Sequence, residues 1–443
     1  MSLFSTLNVG SSGLGAASAG LGVAGDNIAN VGTTGFKETR ATFADFMPRS
    51  VFGLAGQGRM GSGVAINRVS TLFGQGSIDA SDSALDMAID GNGFFMVSSP
   101  TQTLYTRNGE FFVDKSGYVT TADGLRVQGY PATNGLVSPT VGDLTVSSAT
   151  LPGIATSGVV VNASLSADTV PGADLAALQF YGTGAGGTTI SEAADAADFT
   201  TSMTVYDSLG VGHDVAVCFE RSSDGAWSWR ALADASEVLD VTGNPYSANA
   251  GEAFELASGT VSFDTDGNPV ASSQISTSDW NFRGAASQAI SFDFGVDALG
   301  VATAGSLRTS GNTSSVTSLV QDGRGAGELA SVRVGPDGLV MGSYTNGEQQ
   351  VLGQVAVATF EAEGGLVRMG GTLFASSISS GEPAVGVAGT GGRGSLAGNA
   401  LERSNVELEE QFVNMITHQR SFQANAKVVS MADEALQVLV NLV

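Results

Sequence analysis

Residues 7–34 read, in sevens, LNVGSSG, LGAASAG, LGVAGDN and IANVGTT. Leu7, Leu14, Leu21 and Ile28 fall in register, and Leu3, Gly10, Ala17, Ala24 and Val31 fill the intermediate positions, so the spacing alternates three and four. That pattern predicts a helical seam of the coiled-coil kind, with small residues between the large ones where a partner helix can come close. Gly10, Gly13, Gly15, Gly20, Gly22 and Gly25 each cost about 1 kcal/mol relative to Ala in a helix. The segment therefore needs a partner to stay helical.

The other end of the chain supplies the same period with better helix formers. Ser404-Asn405-Val406-Glu407 fits a capping box, in which Ser404 and Glu407 satisfy each other's free amides. From there Leu408, Phe412, Met415, Gln419, Phe422, Ala426, Val429, Asp433, Leu436, Val440 and Val443 alternate by four and three. A helix from about 405 to 442 would be roughly 57 Å long, and about 30 N-terminal residues would give ~45 Å. Such lengths exceed what a compact globule needs. The large seam residues Leu7, Leu14, Leu21, Ile28, Leu408, Phe412, Met415, Phe422, Val429, Leu436 and Val440 are thus the candidate helix-packing interface.

Between the ends, 443 residues with 61 Gly, 10 Pro and only 14% charged residues point to strands and tight turns. The stretches 72–147 and 316–395 share a meander style, with Asn108-Gly109, Lys115-Ser116-Gly117 and Asp123-Gly124 as turns, and read as one discontinuous β domain. Residues 148–315 hold 19 acids against four bases, Arg221, Arg230, Arg283 and Arg308, and read as an inserted, acidic outer β domain. Residues 1–31 and 404–443 form the helical core, joined through connecting segments 32–71 and 396–403. The expected architecture is multi-domain and mainly β, with discontinuous β domains and long N- and C-terminal α-helices forming a coiled-coil-like core.

The net charge of −24, with only Lys37, Lys115 and Lys427 as lysines, repels phosphate backbones and anionic lipid, which argues against nucleic-acid partners. No apolar run approaches the ~18 to 20 residues of a membrane span, and no basic side chain precedes Lys37, so the reading expects neither membrane insertion nor a cleaved secretory signal. Cys218 is the only cysteine, which excludes an intrachain disulfide. His213 and His418 stand in unrelated contexts and read as structural. Gly182 to Gly187 matches GxGxxG, a weak signal in so Gly-rich a chain. Asp264-Thr265-Asp266-Gly267-Asn268 resembles a calcium loop, but its Gly comes two places early and position twelve is Ile275. The carboxylates Asp79, Asp82, Asp86 and Asp90 lack a neighbouring Lys or His to set distinct pKa values. The reading expects no enzyme, cofactor, catalytic residue or metal site.

DNIANVGTTGFK (26–37) resembles the N-terminal signature of the bacterial flagellar rod and hook protein family, carried here by Asn27, Ile28, Asn30, Gly35 and Phe36. AIDGNGFFMV (88–97), with Gly93, Phe94 and Phe95, is similar to a middle signature of the family, as are YTRNGEFFVD (105–114) and GLRVQGYPAT (124–133). Residues 404–442 resemble its C-terminal signature, and TVYDSLGVGHDVAVCF (204–219) and GSYTNGEQQVLGQVAVATF (342–360) are similar to the hook members in particular. The resemblance implies a structural subunit that polymerises into the flexible curved tube between rod and filament, a universal joint for motor torque. It further implies as partners other copies of the chain, the rod, the hook–filament junction proteins, and the hook cap and export apparatus during assembly. The place is the hook and basal body outside the cell, reached by the flagellar type III route. The alternative is another axial protein of the same family, a distal rod or hook-associated junction protein.

Overall fold

The computed structural model describes residues 3–47, 49–53, 56–146, 150–240, 243–276, 280–296 and 307–441. Its helices are α1 (Leu3–Ala29), the short α2 (Asp174–Ala177) and α3 (Ile190–Ala196), and α4 (Leu408–Asn441); nearly all other regular structure is strand. The chain divides into two compact units, one of Met1–Ser148, Ala330–Ser343 and Gln349–Val443, the other of Ala149–Leu329 and Tyr344–Glu348.

In the first unit, a large antiparallel sheet is organised around Gln349–Thr359, which pairs with Arg126–Thr133 and Phe94–Ser98. The run Phe94-Phe95-Met96-Val97 is buried on both faces because alternate side chains enter different cores. Phe94 and Met96 join Tyr105, Phe360 and Phe374, while Phe95 meets Phe111 edge to face at 5.2 Å. Gly93 opens this strand at φ +134°, and a Cβ there would strike Val357, so the turn before Phe94 requires glycine.

The segments read as connectors turn out to be paired strands. Thr39–Asp45 pairs with Val64–Thr71, Ser395–Gly398 with Met87–Asp90, and Ala400–Glu402 with Ile78–Ala80. Gly-rich sequence alone does not distinguish a link from a short edge ladder, and here the backbone amides of 395–402 find partners 300 residues earlier in the chain. Helix α4 also begins later than the capping-box reading expects. Asn405 accepts from the Glu38 amide at 2.7 Å and donates to Leu72 and Gly74 carbonyls at 3.0 Å each, which pins 404–406 in an extended stretch. Ser404 then accepts from the Val406 amide, at 3.3 Å, in place of capping a helix.

The second unit carries a five-stranded antiparallel meander, Phe199–Tyr206, Gly212–Ser223, Ala226–Asp234, Ala253–Phe263 and Pro269–Ser276. A smaller sheet is built on Gly158–Ser166, where Val159, Val161, Ala163 and Leu165 are buried while Val160 is exposed, the period of two that a half-buried strand requires. Their core also contains Trp227, Trp229, Trp280 and Phe219. Ser315–Gln321, read as the start of the returning β domain, pairs instead with Gly158–Ser166. The insert thus continues past 315, to 329. Its expected start at 148 lies outside the described residues. Asp264 accepts from the Asp266 and Asn268 amides at 2.9 and 2.7 Å, so the calcium-like motif is a tight surface turn. Cys218 is fully buried, and burial pushes its thiol pKa up.

Candidate assembly interface

Helices α1 and α4 lie side by side and run antiparallel. The residues of α1 that touch α4 are the small members of the heptad. Gly10, Ala17, Gly20, Ala24 and Asn27 are buried, whereas Leu7, Leu14, Leu21 and Ile28 are only half-buried. A Cβ built on Gly10 would stand 2.8 Å from a Val429 methyl, one on Gly13 would stand 2.7 Å from the Asn425 amide, and one on Gly20 would stand 2.5 Å from the His418 imidazole. The six glycines that weaken the isolated helix therefore include the ones that admit its partner. The leucines, one step round the helix, flank the contact.

On α4 the division is similar. Gln411 and Ala432 are buried and His418, Asn425 and Val429 half-buried toward α1. Leu408 is 40% exposed, Phe412 49%, Ile416 49% and Phe422 39%. Met415 and Leu436 are half-buried, and the side chain of Val440 lies outside the described residues. At 100° per residue, Leu408, Phe412, Met415, Ile416 and Phe422 occupy one side of the helix beside the α1 contact. Sequence reasoning missed Ile416, which lies off the alternating spacing. It also missed Gly13, Gly20 and the polar residues facing them, although the same seven-residue spacing runs through Gln411, His418, Asn425 and Ala432.

The N-terminal signature ties this helix pair to the large sheet. Asn27 is buried; its amide donates to the Thr39 carbonyl at 2.8 Å and to Gln411 Oε1 at 3.0 Å, while its Oδ1 accepts from the Thr39 amide at 2.9 Å. Asn30 donates to the Asp26 carbonyl at 2.9 Å and closes the end of α1. Gly35 holds φ +66° against the Asn108 backbone, which no side chain could approach so closely. Phe36 is buried beneath the Arg368 guanidinium, 4.8 Å from its ring centroid, and Arg368 pairs with Asp26 at 3.0 Å.

The next residue, Lys37, enters a buried charge cluster. Glu402 accepts from Lys37 Nζ at 2.5 Å, from Arg107 Nη1 at 3.2 Å and from the half-buried Gly76 amide at 3.0 Å, and the three charged side chains are fully or nearly fully out of water. Lys37 also donates to the Gly74 carbonyl at 2.8 Å and Arg107 to Gly91 at 2.9 Å. Burial pulls the Lys37 pKa below its ordinary value, opposed by the Glu402 carboxylate. Glu38, at the α4 contact, is pushed up by burial, opposed by the hydrogen bond from Gln411 at 2.9 Å. One carboxylate shared by two cations and an amide holds residues from four distant stretches of sequence together. The arrangement locks and orients, with the Lys37 and Glu402 side chains fully out of water and that of Arg107 nearly so.

Four family models match the chain in succession: Flagella basal body rod protein at 7–37, Flagellar hook protein FlgE/F/G D1 domain at 88–164, Flagellar basal body protein FlaE D2 domain at 179–324, and Flagellar basal body rod FlgEFG protein C-terminal at 397–442. The chain is 32% identical to the flagellar hook protein FlgE of Salmonella typhimurium over 439 residues, covering 97% of this chain and 98% of that protein. The chain belongs to the flagellar hook protein FlgE family. The family's Escherichia coli member is likewise 32% identical, over 97% of this chain and 98% of that protein, and the Rhizobium meliloti member is 30% identical over the whole of both. The first and last matched segments coincide with the helix pair and its signature cluster. Among the described residues no helix is long and apolar enough to cross a membrane, and no group of His, Cys, Asp and Glu is placed to hold a metal ion.

Proposed function

We infer that this chain is a structural subunit of the bacterial flagellar hook, polymerising with copies of itself into a flexible curved tube that passes torque from rod to filament. The observation that carries the reading is the apolar side of α4: Leu408, Phe412, Ile416 and Phe422 stay 39–49% exposed on a helix already paired along its neighbouring side. Contiguous exposed apolar residues of this kind mark a surface made for a protein partner. In the tube, helix pairs from neighbouring subunits would cover it and build a coiled-coil-like inner core from Leu7, Leu14, Leu21, Ile28, Leu408, Phe412, Met415, Phe422, Val429, Leu436 and Val440. Long axial helices resist twist, while the β units can shift against their neighbours and let the tube bend. The subunit would leave the cell through the flagellar type III apparatus, assemble beneath a hook cap, and meet the rod at one end and the hook–filament junction proteins at the other. A distal rod or junction role is disfavoured by end-to-end coverage of the hook relatives.

The test is expression in a flagellated strain deleted for its own hook subunit, read by electron microscopy of basal bodies and by swimming in soft agar. Curved tubes on the rod and restored swimming are expected. Export of the chain into the medium without tubes on the rod would overturn the reading.

A further inference from the structure

We propose that Gln411, His418 and Asn425 are positioning residues for assembly: three side chains seven residues apart on α4 that key into Asn27, Gly20 and Gly13 of α1 and fix the axial register of the two helices. This deepens the hook-subunit reading and rests on it for its consequence in the polymer. The three contacts share one alignment. Each step of seven down α1, from Asn27 to Gly20 to Gly13, is matched by a step of seven up α4. Asn27 donates to Gln411 Oε1 at 3.0 Å, and Gln411 in turn donates to Glu38 Oε1 at 2.9 Å. Gly20 leaves the room that the His418 imidazole fills, and the ring stands edge-on to Phe43 with centroids 6.1 Å apart, so it cannot swing away without giving up that contact. Gly13 faces the Asn425 amide group, its carbon 2.7 Å from where a Cβ would be.

A seam of small apolar residues alone would tolerate sliding, because a methyl group fits against any of its neighbours. Polar side chains in such a seam select one alignment, since every other one leaves them without partner or space. Sliding by one helical turn would set His418 against Ala16 or Ala24, where a Cβ occupies the notch, and Gln411 against Val23 or Val31, which cannot bond it. The register decides where along the tube Leu408, Phe412 and Phe422 meet the next subunit, relative to the Asn27–Phe36 anchor.

The experiment is a matrix of substitutions in the full chain. Gly20→Leu introduces a good helix former, so helix propensity alone predicts a more stable α1. Filling the notch predicts the opposite, a loss of about tenfold or more in hooks per cell in the deletion strain, as overpacking of this size produces. His418→Ala in the same chain empties the notch from the other side and is expected to restore hook numbers; Asn425→Ala, one heptad away, is expected not to. Amide exchange over residues 3–29 is followed in parallel, in sheared hooks or, where none form, in the purified chain. Protection there is expected to fall in Gly20→Leu and to return only in the matched pair. Rescue by Asn425→Ala as good as by His418→Ala, undiminished hooks and protection in Gly20→Leu, or a 3–29 segment unprotected in every variant and in the parent would overturn the proposal. Protection that follows the matched pairs while the parent chain builds no tube would leave the register intact and refute the hook reading.

Discussion

Phe412→Ala and Phe422→Ala separate burial within the chain from burial in the tube. In the isolated subunit the two rings are 49% and 39% exposed. An aromatic side chain presents roughly 200 Å², so about 80–100 Å² of each ring is still in water. Covering that area at about 25 cal/mol per Å² contributes roughly 2 kcal/mol per ring to each subunit added. Each substitution should therefore raise the subunit concentration needed for polymer growth about 30-fold, and the double variant should come close to abolishing tubes. The β-sheet cores contain neither ring, so their thermal unfolding should be unchanged. The assay pairs calorimetry of the purified chain with sedimentation of polymer across a concentration series and counts of hooks in the deletion strain. Equal growth of parent and variant polymer, or a main unfolding transition lowered by several degrees, would refute the reasoning, because the α4 side chains would then belong to an ordinary intrachain core.

Glu402→Gln should cost about 3–5 kcal/mol in denaturant unfolding of the first unit, because Lys37 and Arg107 are left as buried charges without their carboxylate. A loss below about 1 kcal/mol would mean that water reaches the cluster. Asn27→Ala, which strands the Thr39 amide and carbonyl, should speed amide exchange around residues 27–39 while leaving the second unit untouched. Asp322 offers a pH test in the second unit. Burial pushes its pKa up, but hydrogen bonds from Ser157 Oγ at 2.5 Å and from the Ser157 and Gly158 amides at 2.8 and 2.9 Å outweigh burial and hold it below the ordinary 3.8. A depressed carboxylate stabilises the fold above its unfolded pKa and loses that stabilisation as pH falls through the folded one. Asp322→Asn should therefore be less stable than the parent at neutral pH, with the gap closing as pH drops below about 3.8; a gap independent of pH would show that the charge is not what these donors hold.

The helices and their period were legible because a seven-residue spacing in the sequence is the helix geometry itself, and the same holds for the two-residue alternation of Val159, Val161, Ala163 and Leu165. Which members of the heptad make the contact was not legible in the same way. Large residues dominate a hydrophobic count, so Leu7, Leu14, Leu21 and Ile28 drew the seam. Yet two antiparallel helices that approach closely bury the small residues and leave the large ones to the flanks. Strands such as Ala400–Glu402 were hidden for a different reason. A three-residue ladder carries no periodicity, and its partner, Ile78–Ala80, is more than 300 residues away. The signature residues were recognised as a resemblance, but their roles came only from three dimensions: Asn27 as a bridge to Thr39 and Gln411, Gly35 as a close approach, Phe36 as the floor beneath Arg368.

These roles bear on why the terminal helices can serve a polymer without destabilising the subunit. A helix with an apolar flank left open is a liability unless its other side is held firmly, since it could rotate to bury that flank within its own chain. Here rotation is opposed at both levels. The notches at Gly13 and Gly20 of α1 hold the Asn425 and His418 side chains, and Asn27, through Thr39 and Gln411, ties α1 to the first strand after it and to α4 at once. At the same end of that strand pair, beside the Thr39–Thr71 pairing, Asn405 bonds Glu38, Leu72 and Gly74 and so fixes the direction in which α4 leaves the sheet. The polar contacts contribute modestly to stability one by one; together they hold α4 in the orientation that leaves Leu408, Phe412, Ile416 and Phe422 39–49% exposed, the surface proposed above to meet the next subunit.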